Sequence, residues 1–143
     1  MNSILSGRHI LVVEDEMIVA WLLGDILADL GCAVVGPVAR VNQALAMIDA
    51  EGIDAAVLDV NLNGEKSYPI ADALAARGVP FIFSTGYEKD SIASGYDSVP
   101  VLRKPFQQSE LGDTLAKLLM PKEPSAVRTA MLQSAPFSRP LEG

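Results

Sequence analysis

The chain has 143 residues, half of them hydrophobic but only 6% aromatic, enough for one domain with an aliphatic core. Lys plus Arg total 11 against 18 Asp plus Glu, a formal charge of -7 that disfavours nucleic acid and anionic membrane surfaces and favours cations or basic protein surfaces. Cys32 is the only cysteine, so an internal disulfide is excluded and a reducing compartment fits.

In chain order, "MNSILSGRHILVV" places Arg8 and His9 just before its apolar run, unlike a signal peptide, which carries its basic residues at the start. "HILVV" (9–13) is a short β-branched run that reads as a strand buried on both faces. "EMIVAWLLGDILADLG" (16–31) reads as a helix stopped by Gly31. Asp25 and Asp29 interrupt it and it is too short to span a bilayer, so a soluble cytoplasmic protein is expected. "CAVVGPV" (32–38) is a second strand whose Pro37 suits a sheet edge. "VNQALAMIDAEG" (41–52) is a second helix, and "DAAVLDV" (54–60) a third strand.

"YPIADALAARG" (68–78) is a third helix, with Pro69 in its first turn and Gly78 at its end. "VPFIFST" (79–85) is a fourth strand. "YEKDSIASG" (87–95) is a poor helix, with one large aliphatic residue and two serines. "VPVLRK" (99–104) is a fifth strand, and "QQSELGDTLAKLLM" (107–120) a last helix with Leu111, Leu115 and Leu118 on one face. The proline-rich remainder, 121–143, has no sustained periodicity and reads as a flexible C-terminal tail after a domain of residues 1–120; a short docking helix around Val127 to Leu132 is the alternative.

Five βα units imply an α/β fold: a parallel sheet covered on both faces by right-handed crossovers, with ligands at the carboxyl ends of the strands. Those ends carry Glu14-Asp15-Glu16, Asp59 with Asn61 two residues on, Ser84-Thr85, and Arg103-Lys104-Pro105. Glu16 reads as a helix-start carboxylate favoured by the dipole. Glu14, Asp15 and Asp59 on one rim repel unless a cation sits among them, and Mg²⁺ suits such an oxygen-rich site. Trp21 and Leu22 lie on a helix that is apolar nearly all round, which fits burial in the core or a face for docking or dimerisation.

The motifs "VVEDE", "LDVNLNG", "FSTGYE" and "RKPF", in this order, resemble those of the receiver domain of bacterial two-component response regulators, over roughly residues 8–120. "PFIFSTGY" (80–87) is similar to the Pro-Phe-x-Phe-Ala-Thr-Gly hallmark of a stand-alone alphaproteobacterial subgroup, with Ser84 in place of Ala. The resemblance implies a doubly wound, five-stranded parallel sheet of order 2-1-3-4-5, flavodoxin-like, with no output domain.

It also implies roles. Asp59 accepts a phosphoryl group from a sensor histidine kinase or phosphotransfer protein. Asp15, Asp59 and the backbone carbonyl of Asn61 ligate Mg²⁺, and Glu14 acts through water. Thr85 bonds a phosphoryl oxygen, Lys104 pairs with the phosphoryl group, and the Lys104–Pro105 bond is cis. Such a protein catalyses its own phosphorylation and dephosphorylation without being an enzyme for an external substrate. It signals to an unknown downstream protein, or serves as a shuttle or sink.

Two departures stand out. Val101 replaces the aromatic switch residue three positions before the lysine, as in that subgroup, and the loop after Asp59 lacks the proline that commonly follows by four positions. Ordering of the region 86–98 is the expected output, and Tyr87 is either a shield for the acyl phosphate or a packing residue. The rival readings are a phosphatase of the haloacid-dehalogenase type and a degenerate receiver that only binds partners. The first places its nucleophile near the chain start and needs a general acid where Asn61 stands; the second is opposed by the intact set of Glu14, Asp15, Asp59, Thr85 and Lys104.

Overall fold

The computed structural model describes residues 4–86 and 92–120. Its strands are β1 (His9–Val13), β2 (Ala33–Val38), β3 (Ala55–Asp59), β4 (Asn61–Leu62), β5 (Glu65–Lys66), β6 (Phe81–Thr85) and β7 (Val101–Arg103). Its helices are α1 (Met17–Asp29), α2 (Val41–Ala50), α3 (Tyr68–Ala76) and α4 (Gln108–Leu119). The long strands form one parallel sheet ordered β2-β1-β3-β6-β7, which is the expected 2-1-3-4-5 topology once the small β4–β5 hairpin is set aside.

Strict alternation along buried strands divides the core in two. Leu11, Val13, Ala56, Leu58, Phe81 and Phe83 face one side, where α2 contributes Ala44 and Ile48, and α3 contributes Ile70 and Leu74. Ile10, Val12, Ala55, Val57 and Ile82 face the other, against Leu23 and Leu27 of α1 and Leu111 and Leu115 of α4. At the β2 edge, the register with β1 slips between Leu11 and Val13. Gly36 absorbs the irregularity at φ 93°, and a Cβ there would lie 2.9 Å from the Val38 amide nitrogen and 3.0 Å from the Val12 carbonyl, so only glycine fits. Pro37 follows it on the edge strand, as expected.

Three expectations change. The expected helix 87–95 is not helical in its described part, residues 92–95; residues 87–91, with Tyr87, lie outside the described residues. So does 121–143, with the segment Val127 to Leu132. The β4–β5 hairpin was not expected, although Asn63-Gly64 is the strongest short hairpin signal: both residues adopt positive φ, 55° and 93°. Finally, α1 is not buried all round. Met17, Ile18, Trp21 and Leu22 are exposed, Trp21 at 69%, because the helix buries its Ala20–Leu23–Leu27 side, flanked by Ile26, against the sheet.

Ser84 presents a smaller cost. Its hydroxyl is buried without a hydrogen-bond partner among the described residues. Ser84→Ala is therefore expected to raise the urea midpoint, by about 1 kcal/mol in stability, since a stranded buried hydroxyl costs its desolvation; a lower midpoint would show that the hydroxyl is paired.

Candidate functional site

The site grows out of the same alternation. Continued past the strand ends, the phase that points Ile10 and Val12 toward α1 and α4 carries Glu14, that of Ala55 and Val57 carries Asp59, and that of Leu102 carries Lys104. Parallel pairing brings the three strand ends level at one rim, with Asp59 opposite Ser84 and Thr85 opposite Arg103. The Lys104 amide donates to the Thr85 carbonyl at 2.8 Å, fixing the lysine's backbone at the sheet end. The Lys104–Pro105 peptide is cis, as expected.

Lys104 Nζ donates to Glu14 Oε1 at 3.0 Å, to Asp59 Oδ2 at 3.1 Å and to Glu16 Oε1 at 3.3 Å. Glu14 Oε2 accepts from the Glu16 amide at 3.0 Å, and Asp59 Oδ1 from the Asn61 amide at 3.2 Å. Glu14, Asp59 and Thr85 are buried, and Asp15 is half-buried. Burial, then the charge of Asp59, pushes Glu14 from 4.5 up to about 7, against the Glu16 amide and Lys104. Burial also raises Asp59, opposed by its bonds to Glu14 and Lys104. Burial alone would lower Lys104, but its bonds to Glu14 and Asp59 carry it above its ordinary value. One ammonium thus offsets several acids, and the remaining negative charge suits a divalent cation.

Carboxylate oxygens of Glu14, Asp15 and Asp59 lie within 4.8 Å of one another. This hard-oxygen donor set fits Mg²⁺. Asn61 stands beside it through its backbone, while its side chain accepts from the Gly64 amide at 2.9 Å and shapes the hairpin turn. A cleft lined by Asp15, Arg40, Asn63 and Glu65 opens next to the acids.

Two features had little sequence signal. Glu16, assigned to the helix start, makes no capping bond with its side chain and turns to Lys104 instead. The segment after residue 91 is tied to α3 by an aromatic cluster: Tyr96 stacks on Tyr68 with centroids 5.1 Å apart, and both meet Phe83 edge-on. The Tyr96 hydroxyl donates to Asp72, which pushes it up to about 12, and the Ala93 amide donates to the Tyr68 hydroxyl. Val101, at the position of the missing aromatic switch, is exposed. Beside the acids, an apolar groove of about 320 Å³ runs between α1 (Ile18, Leu22, Ile26) and Pro105-Phe106.

The model of the response regulator receiver domain matches residues 10–116. Among solved structures, SdrG from Sphingomonas melonis Fr1 is 49% identical, over 83% of this chain and 100% of that one, with a TM-score of 0.73. The BeF3-activated conformation of SdrG, from Pseudomonas melonis Fr1, is 48% identical over 80% of this chain and 98% of that one, with a TM-score of 0.69. The receiver domain of a sensor histidine kinase from Pseudomonas aeruginosa PAO1, with magnesium coordinated in its active site cleft, is 26% identical over 80% and 98%, with a TM-score of 0.65. No curated protein matches the chain.

Proposed function

The chain belongs to the response regulator receiver domain family, and from that premise we propose that Asp59 accepts a phosphoryl group from a histidine kinase or phosphotransfer protein, with Mg²⁺ bound, in the cytoplasm. The phosphorylated form then signals by protein contact, or passes the group on as a shuttle or sink. The observation that carries this reading is the convergence of Lys104 on Asp59 and Glu14 across 45 and 90 residues of sequence. A BeF3-activated form of a protein 48% identical, and magnesium in the cleft of another relative, support it.

The chemistry follows from the residues. An Asp59 carboxylate oxygen attacks phosphorus, and the bond from phosphorus to the donor nitrogen breaks with its electron pair leaving on the donor. Mg²⁺, when held by Asp15, Asp59 and the Asn61 carbonyl with Glu14 acting through water, would neutralise charge on the phosphoryl oxygens. Lys104 pairs with one of those oxygens, and the Thr85 hydroxyl, at the end of the adjacent strand, donates to another. Water attack on phosphorus returns the Asp59 carboxylate, so no external substrate is turned over. The output is the expected ordering of the region 86–98; residues 87–91 lie outside the described residues, and the part from 92 on is clasped to α3 by Tyr96 and Tyr68.

Incubation with acetyl phosphate and Mg²⁺ is expected to add one phosphoryl group to the intact mass, and EDTA to prevent it. No gain, or steady turnover of p-nitrophenyl phosphate, would overturn the reading.

The exposed face of Met17, Ile18, Trp21 and Leu22 borders the acids and suits an apolar helix of the phosphodonor with basic flanks. Trp21→Ala is expected to slow transfer from the cognate kinase about tenfold, the scale of a lost aromatic anchor, while the acetyl phosphate rate is unchanged. Equal slowing with both donors would place the effect in the site instead.

A further inference from the structure

We propose that Glu16 is a positioning residue that occupies Lys104 before phosphorylation, so that the lysine reaches the incoming phosphoryl group by leaving Glu16. The proposal rests on the phosphoacceptor reading above and concerns the regulation of that same site.

An ammonium has three donors. All three of Lys104 are in use, on Glu14 at 3.0 Å, Asp59 at 3.1 Å and Glu16 at 3.3 Å. While the donor approaches and Asp59 is still a carboxylate, a phosphoryl oxygen therefore has to displace one of these three. Glu14 and Asp59 are buried, so no water can take the lysine's place on either of them. The Glu16 side chain is 65% exposed, so water replaces the lysine when the pair opens. Glu16 is thus the partner released at least cost.

The local backbone agrees. Glu16 stands at the N-cap of α1 with extended φ and ψ of -90° and 113°, the usual geometry for a capping side chain, yet its carboxylate makes no cap bond. Its amide holds Glu14 Oε2 at 3.0 Å while its carboxylate holds Lys104. One residue thereby orients both members of the Glu14–Lys104 pair, and its negative charge also opposes the incoming phosphodonor.

The test uses the full chain with Mg²⁺ and acetyl phosphate, following intact mass against donor concentration. Glu16→Gln is expected to lower the half-saturating acetyl phosphate concentration about two- to fivefold, the range spanned by one exposed ion pair, with little change in the maximal rate. Glu16→Asp keeps the charge beside the helix start but is one methylene too short for Lys104, so it should follow Glu16→Gln. Glu16→Asp matching wild type would assign the effect to the general field and overturn the proposal, as would Glu16→Gln matching wild type.

A double-mutant cycle in urea with Lys104→Met reads the pair without phosphorylation. The effect of Glu16→Gln should shrink in the Lys104→Met background, and additivity would overturn the pairing. If wild type takes up no phosphoryl group at all, the phosphoacceptor reading is what fails, while the cycle still reports whether the pair exists.

Discussion

Asp59→Asn is expected to abolish phosphoryl uptake from acetyl phosphate altogether, with no mass gain under conditions in which wild type is fully converted. The substitution keeps shape and volume, so the β3 packing around Leu58 and Val60 is undisturbed. It removes the carboxylate proposed as the nucleophile, which lies 3.1 Å from Lys104. Glu14 and Asp15 share the site, with carboxylate oxygens within 4.8 Å of those of Asp59, and are expected to serve the metal and not to accept the group. The same variant should be more stable than wild type without Mg²⁺, because one of several crowded acids has lost its charge. A residual mass gain in Asp59→Asn would move the acceptor to another side chain and undo the assignment.

The second large effect is on stability against pH. Glu14 sits at about 7 in the fold against an ordinary 4.5. Between those values the folded chain holds a proton that the unfolded chain has released, so stability is greater below pH 4.5 and is lost as pH rises through 7. The shift corresponds to a loss on the order of 3 kcal/mol, and the upward shift of Asp59 adds in the same direction. Mg²⁺, bound to the deprotonated acids as proposed, should recover much of this loss at pH 8, while doing little at pH 4.5. Glu14→Gln should flatten the curve and weaken the Mg²⁺ gain. Urea midpoints measured across this pH range, with and without Mg²⁺, provide the check. A metal-free midpoint that is flat or rises between pH 4.5 and 7 would show that the acids are not crowded in the way the distances imply.

Both expectations depend on one consequence of the fold: carboxylates that are far apart in sequence share a single ammonium. Phosphorylation would add about -1.5 to -2 charge at this point. Lys104, Thr85 and a bound divalent cation are the groups available to offset it, and Glu16 is the one that competes.

Short-range regularities were enough for the architecture. β-branched runs such as "HILVV" and "DAAVLDV", glycines after the α1 and α3 segments, and Pro37 at an edge each depend on residues a few positions away, and five successive βα units leave little choice of topology. The positions of Glu14, Asp15, Asp59, Thr85 and Lys104 at strand ends were legible for the same reason: a strand's carboxyl end is a local fact, and a parallel sheet aligns such ends. Asn63-Gly64 is equally local, a hairpin-turn signal inside the "LDVNLNG" motif.

Packing between distant segments decided the rest. On α1, a helix apolar nearly all round, the residues that meet the sheet are chosen by how the helix lies on β1 and α4, so Trp21 and Leu22 are exposed although their hydropathy fits a core equally well. Glu16 has a sound local role at a helix start, and only the arrival of Lys104 from 88 positions away offers its carboxylate a stronger partner. Tyr68 and Tyr96 likewise meet only when α3 and the segment before β7 are laid side by side. Periodicity encodes which elements form, because near neighbours set backbone conformation. Which face is covered, and which charge finds which partner, is settled by long-range contacts that exist only once the sheet has closed.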